Sequence, residues 1–113
     1  MRFFFNNIGE MVCLAGDTLP EITVTVEDAG SLTGTAMYLI LSEWSDPDVA
    51  VLRKACSLLS DGTGFSVVLD SSDTRGLSGV FRMQFRLIDT NDKCHNKLYG
   101  VLTVRPCPQE VTS

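Results

Sequence analysis

Between Gly79 and Asp89 the chain alternates with a period of two: Phe81, Met83, Phe85 and Leu87 fall on one side, Arg82, Gln84 and Arg86 on the other. Successive side chains of a β-strand point to opposite faces, so this run gathers its four large apolar groups on one surface only if it is extended. A helix would spread the same groups around its axis. The segment is therefore a strand with one buried and one solvated face, and it belongs at the centre of the core.

The rest of the chain fits around such a strand. Glu21 to Glu27 (EITVTVE) alternates in the same way, with Ile22, Val24 and Val26 inward, and Asp28 to Gly30 supplies a turn. Thr35 to Leu41 (TAMYLIL) is apolar on both parities, as expected of a central strand covered on both faces. Glu43 to Asp48 is polar, contains Pro47 and is expected to be a loop.

Residues 48–60 carry two patterns. Val49, Leu52, Cys56 and Leu59 recur at helical spacing, whereas Val49, Val51 and Arg53 alternate. In an all-β neighbourhood the strand is preferred, ending at the Asp61-Gly62 turn. A further strand, Phe65 to Leu69, leads into a polar corner from Asp70 to Leu77, where one helical turn capped by Ser72 or Asp73 is expected. Thr90 to Asn96 reads as a polar hairpin and Lys97 to Arg105 as the last strand. Pro106 and Pro108 end its pairing, and residues 106–113 are expected to fray.

About seven short strands at this spacing predict an all-β, immunoglobulin-like β-sandwich, although Cys, Trp and Cys do not stand where an immunoglobulin domain proper would have them. The expected core is Ile22, Val24, Val26, Leu39, Leu41, Phe65, Val67, Phe81, Met83, Phe85 and Leu87. With 113 residues, 44% hydrophobic and 20% charged, the chain has room for one such core, so residues 1–113 form a single domain.

Nine Lys and Arg against fourteen Asp and Glu give a net charge of −5, with the basic residues scattered. A polyanion would be repelled, so nucleic acid is not an expected partner. No run of apolar residues is long enough for a membrane-spanning helix. The N-terminal apolar run is interrupted by Asn6, Asn7 and Glu10, unlike an export signal, so the protein is expected to stay where it is made. Cys13, Cys56, Cys94 and Cys107 are then expected as free thiols. The exception is Cys13 with Cys107, because first and last strands of sandwiches often run side by side and could bring the two close.

Candidate chemistry is sparse. His95, the sole histidine, lies in the hairpin, a poor place to exclude water from a nucleophile. Cys94, His95 and Cys107 lack the closely spaced pairs of a structural zinc site. Asp70, Asp73, Asp89 and Asp92 border turns without calcium-loop spacing, and the glycines form no phosphate-binding loop. The expectation is no catalytic residue, no metal and no cofactor. Residues 1–10 hold the one unusual apolar cluster, Phe3, Phe4 and Phe5, which is either an edge strand closing the core or an arm that docks on a neighbouring subunit.

Four short pieces occur in a telling order: Gly16-Asp17-Thr18 before ITVTV, Ser31-Leu32-Thr33-Gly34-Thr35-Ala36 before an apolar strand, Asp73-Thr74-x-x-Leu77 before Gly79-Val80-Phe81, and Gly100-Val101-Leu102-Thr103-Val104. Across residues 14–105 the chain thereby resembles the β-sandwich domains of tailed-phage and prophage virion proteins, in particular the N-terminal domain of the baseplate upper protein type. It departs in having Phe81 where a Tyr is common, and in ending at Ser113 where larger baseplate proteins continue. The resemblance implies a non-enzymatic structural protein of a tail or baseplate, made in the host bacterial cytoplasm and located in the virion. Its implied partners are other virion or tail proteins and further copies of itself, with no catalytic residues to carry over. The competing reading is a carbohydrate-binding or adhesin-like module, in which Trp44 and Tyr38 or Tyr99 stack on a sugar.

Overall fold

The computed structural model describes residues 2–7 and 9–106. Among them are nine strands, β1 (Arg2–Phe5), β2 (Glu10–Leu14), β3 (Ile22–Glu27), β4 (Ala36–Glu43), β5 (Asp46–Ala55), β6 (Ser57–Leu58), β7 (Gly64–Val67), β8 (Gly79–Ile88) and β9 (Cys94–Arg105). One helical turn, α1 (Ser71–Thr74), lies between β7 and β8. The strands form a four-stranded sheet in the order β1-β3-β7-β6 and a five-stranded sheet in the order β2-β9-β8-β4-β5.

Two sheets, each apolar on one face, bury those faces against each other. All eleven residues expected in the core are buried, none more than 8% exposed. The alternating strand β8 is the middle member of the larger sheet, antiparallel to β9 on one side and β4 on the other. The doubly apolar β4 likewise has a neighbour on each edge, and on its outward face Ile40 lies between Arg53 and Gln84 in the pairing register. Those two long side chains explain why Ile40 is only 7% exposed although it points away from the core.

Several local expectations are corrected. Residues 43–48 are not a loop: Glu43 pairs with Asp46 across a tight Trp44-Ser45 turn, and Pro47 sits inside β5. Proline is tolerated there because β5 is an edge strand whose pairing with β4 is irregular beyond Leu41. Residues 48–58 are extended, as preferred, but they make two strands, and the chain turns at Leu59 and Ser60. After Cys56, whose N–H donates to the Met37 carbonyl (2.8 Å), the chain leaves the larger sheet and joins the smaller one as β6. The cap of α1 is Asp70, not Ser72 or Asp73. Its carboxylate accepts from the Asp73 N–H, while the Asp73 side chain accepts from the Asp70 N–H, a reciprocal capping box.

The hairpin before β9 is shorter than expected, because Cys94, His95 and Asn96 already pair with Ile88, Leu87 and Arg86. Asp89 draws the turn together by accepting from the Asn91 and Lys93 N–H groups at 2.9 and 3.0 Å.

The strands that raise the total above seven include β2, which runs parallel to β9 from Glu10↔Val101 to Leu14↔Arg105. Gly9 and Gly100 permit this approach, since a Cβ built on Gly100 would stand 1.5 Å from the Gly9 carbonyl oxygen. Cys13 thus lies beside Val104 at the end of β9, carried there by the second strand and not the first, which belongs to the other sheet. Cys107, Pro108 and the remainder of the tail lie outside the described residues.

Candidate interaction surface

The outward faces of the two sheets differ in chemistry. On the smaller sheet the registers place Thr23 opposite Ser66 and Ser66 opposite Ser57, with Thr25 beside Phe4, so the surface is mostly hydroxyl groups. On the larger sheet the same parity rule turns Val12, Val80 and Leu98 outward, beside Thr103 and Gln84. Val12 is 63%, Leu98 58% and Val80 44% exposed, and Trp44, whose N–H donates to the Val80 carbonyl, is 51% exposed. Val80 and Leu98 were missed in the sequence reading, although Val80 stands on the polar parity of β8 and was legible as an apolar residue on the solvent side.

Arginines share this face. Arg53 lies over the Tyr38 ring at 3.8 Å and Arg82 over the Trp44 ring at 4.9 Å. The Arg82 Nε is buried without a hydrogen-bond partner among the described residues. Arg86 donates through Nε to Asn96 Oδ1 at 2.9 Å, and Arg105 pairs with Leu14 at the β2 edge. Tyr38 and Trp44 each carry a guanidinium, and Tyr99 is buried.

The Phe3–Phe5 cluster is an edge strand. β1 pairs antiparallel with β3, and Phe3 and Phe5 pack on the core. Phe5 lies 5.3 Å from the Phe85 ring and 4.7 Å from Tyr99, and those two rings meet edge-on at 5.4 Å. Only Phe4 points outward, 47% exposed. Because β2 covers β9 only from Val101 onward, the first half of β9 stands open beside β1. Arg2, Phe3, Phe4, His95, Asn96 and Lys97 line a cleft of about 500 Å³ there. His95 Nε2 is 3.0 Å from Asp89 Oδ2, and that contact leads the interactions holding the Asp89 carboxyl below its usual range. The histidine thus braces the turn, and among the described residues no hydroxyl or thiol nucleophile lines the cleft.

The Asp-Thr corner ties distant segments together. Thr74 is fully buried. Its hydroxyl donates to the Asp17 carbonyl at 2.7 Å and accepts from the Gly16 N–H at 3.0 Å. Two of the motif pieces noted in the sequence, Gly16-Asp17-Thr18 and Asp73-Thr74, therefore meet in space. Beside them Lys54 forms ion pairs with Asp73 and, at 3.4 Å, with Asp70. Burial opposes the Lys54 charge, but hydrogen bonds to Asp73 and Asp70 outweigh it and raise its pKa. The Ser72 hydroxyl, the Asp73 N–H and Lys54 together bring the Asp70 pKa down to about 2.

Cys13, Cys56 and Cys94 are free thiols. Burial pushes Cys56 up to about 12 and raises Cys13 as well, which leaves both protonated near neutrality. Among the described residues no three His, Cys, Asp or Glu side chains converge where a metal ion could be held.

No family model matches the chain, and no curated protein matches it. Solved structures do. The fibronectin(III)-like modules of CbhA from Clostridium thermocellum superpose with a TM-score of 0.55 at 8% identity, over 92% of this chain and 96% of theirs. CopC from Methylosinus trichosporium OB3b superposes with a TM-score of 0.51 at 12% identity, over 97% of this chain and 100% of its own. At such identities the likeness is one of fold, and the fold it shows is an all-β sandwich of the immunoglobulin and fibronectin III-like kind.

Proposed function

We propose that this chain is a non-catalytic building block that acts by assembly through its surface, as a tail- or baseplate-associated component of a phage or prophage particle. The observation that carries the assembly reading is the outward face of the five-stranded sheet. It exposes Val12, Val80, Leu98 and Trp44 where the other sheet presents mostly hydroxyl groups. Exposed apolar side chains interspersed with arginines have the composition of a contact region, in which aromatic residues and Arg are enriched. The setting in a virion rests on the resemblance of residues 14–105 to virion sandwich domains.

The experiment is to purify the chain with its neighbouring particle components and measure masses in solution, alone and mixed. A complex of defined mass that is lost on substitution of Leu98 or Val80 supports the reading. A chain that joins no complex and turns over a substrate would sink it. In the glycan-binding alternative a sugar would stack on the ring faces of Tyr38 and Trp44 opposite those that Arg53 and Arg82 occupy. Saturable binding on a glycan array, abolished by Trp44→Ala, would support it.

A further inference from the structure

We propose that the cleft between β1 and the open half of β9 takes an extended, acidic segment of a partner protein, which adds to the free edge of β9 as a further strand. This contact is separate from the outward face of the larger sheet and does not depend on it. β2 covers β9 from Val101 onward, and Gly9 lies against Tyr99 and Gly100, so residues 94–98 pair with β8 on one edge only. Across the cleft β1 pairs with β3 alone, and its other edge is also open. Unpaired N–H and C=O groups at strand spacing are a template that an extended chain matches and that a sugar or a lipid headgroup does not.

Charge selects the occupant. The protein carries a net charge of −5, yet the charged or titratable side chains lining this cleft are Arg2, His95 and Lys97. His95 is engaged by Asp89, whereas neither Arg2 nor Lys97 makes an ion pair among the described residues. Glu27 stands opposite Arg2 in the register of β1 with β3, but it forms no such pair either. Lys97 stands opposite the buried Phe85, so it holds the inward parity of the larger sheet although it is exposed. An inward charge on an open edge deters an apolar strand. It deters a second copy as well, since pairing β9 with β9 would bring like charges together. A strand with carboxylates at alternate positions meets neither obstacle. Every second side chain turns into the cleft, where Lys97 on one wall and Arg2 on the other receive the carboxylates.

The test is titration of the full chain with the fluorescent peptide Thr-Glu-Val-Glu-Val-Glu-Thr, with its Lys-for-Glu counterpart, and with forms of the acidic peptide N-methylated at alternate amides, one form for each strand edge. The acidic peptide is expected to saturate the chain below about 1 mM, to bind more weakly as salt rises, and to slow amide hydrogen exchange at residues 94–98. The Lys peptide and one methylated form should not bind. Lys97→Glu and Arg2→Glu change exposed side chains, one on each wall, and circular dichroism confirms their fold. Each should weaken the acidic peptide about tenfold, and Lys97→Glu should admit the Lys peptide instead. Absence of binding up to about 1 mM, or binding indifferent to both variants, overturns the proposal. Binding of both methylated forms overturns it too, because the cleft is then an anion site and not a strand acceptor, as does binding of heparin or anionic vesicles in place of the peptide. A chain that refuses the peptide but enters a complex that depends on Leu98 overturns this inference and leaves the assembly reading standing. One that takes the peptide but joins no particle component overturns that reading alone.

Discussion

Thr74 illustrates how much one hydroxyl organises here. It satisfies an amide and a carbonyl from a loop nearly sixty residues earlier in the chain, inside a corner where water has no access to the residue itself. Replacing it by Val keeps the shape and removes both bonds, leaving the Gly16 N–H and Asp17 carbonyl without that partner. Thr74→Val should cost about 1 to 3 kcal/mol in urea unfolding, and Thr74→Ser much less, because it keeps the hydroxyl. The sequence exposed the two motif pieces but not their meeting, because side-chain to backbone bonds across long separations leave no periodic trace. The thiols offer a second test at this scale. Cys56 and Cys13 are held protonated by burial, while Cys94 is exposed. Native protein treated with iodoacetamide should be labelled at Cys94 well before Cys13 or Cys56, as read by peptide mass. Early loss of Cys56 would contradict its burial.

At the level of elements, α1 shows what a single turn needs in order to persist. Four residues are too few to be stable alone, so the turn depends on its capping box and on Lys54 bridging Asp70 and Asp73. The Asp70 carboxyl has a folded pKa of about 2 against an ordinary 3.8, which makes its contribution pH-dependent. The sign follows from linkage. The depressed pKa means that the folded state favours the carboxylate, so the contribution is complete above about pH 4 and vanishes as pH falls through about 2. Asp70→Asn, still a competent cap, should therefore show a shallower loss of melting temperature between about pH 5 and about pH 2 than the wild type. Equal slopes would mean that Asp70 is not held as described. Strand identity was legible wherever one face is buried, as in β3, β7 and β8. It was obscured in β5, because an exposed, irregularly paired edge strand has no inward face to impose a clean period.

Over the whole molecule, the sandwich and its core could be read from alternation alone, whereas the way it closes could not. A run such as Arg2–Phe5 has the same sequence whether it seals a core or reaches for a neighbour. What decides is whether a partner strand offers a free edge. Here β3 does, pairing with β1 from Arg2↔Glu27 to Phe5↔Val24, and the Phe5 ring completes an aromatic cluster with Phe85 and Tyr99. The exposed patch on the opposite sheet follows the same logic, since Val80 and Leu98 gain meaning only once the fold puts them on one surface with Val12. The two surfaces should thus respond differently to removal. Deleting residues 2–7 strips an edge from the smaller sheet and uncovers Phe85 and Tyr99, a loss comparable to truncating a buried Phe at about 3 to 5 kcal/mol. The deletion should lower the melting temperature sharply and bring on binding of a hydrophobic dye, and Phe5→Ala should reproduce most of that effect while Phe4→Ala does not. If instead the deletion leaves the melting temperature unchanged and alters only the mass of the assembly, residues 2–7 are a docking arm and β1 is not part of the core.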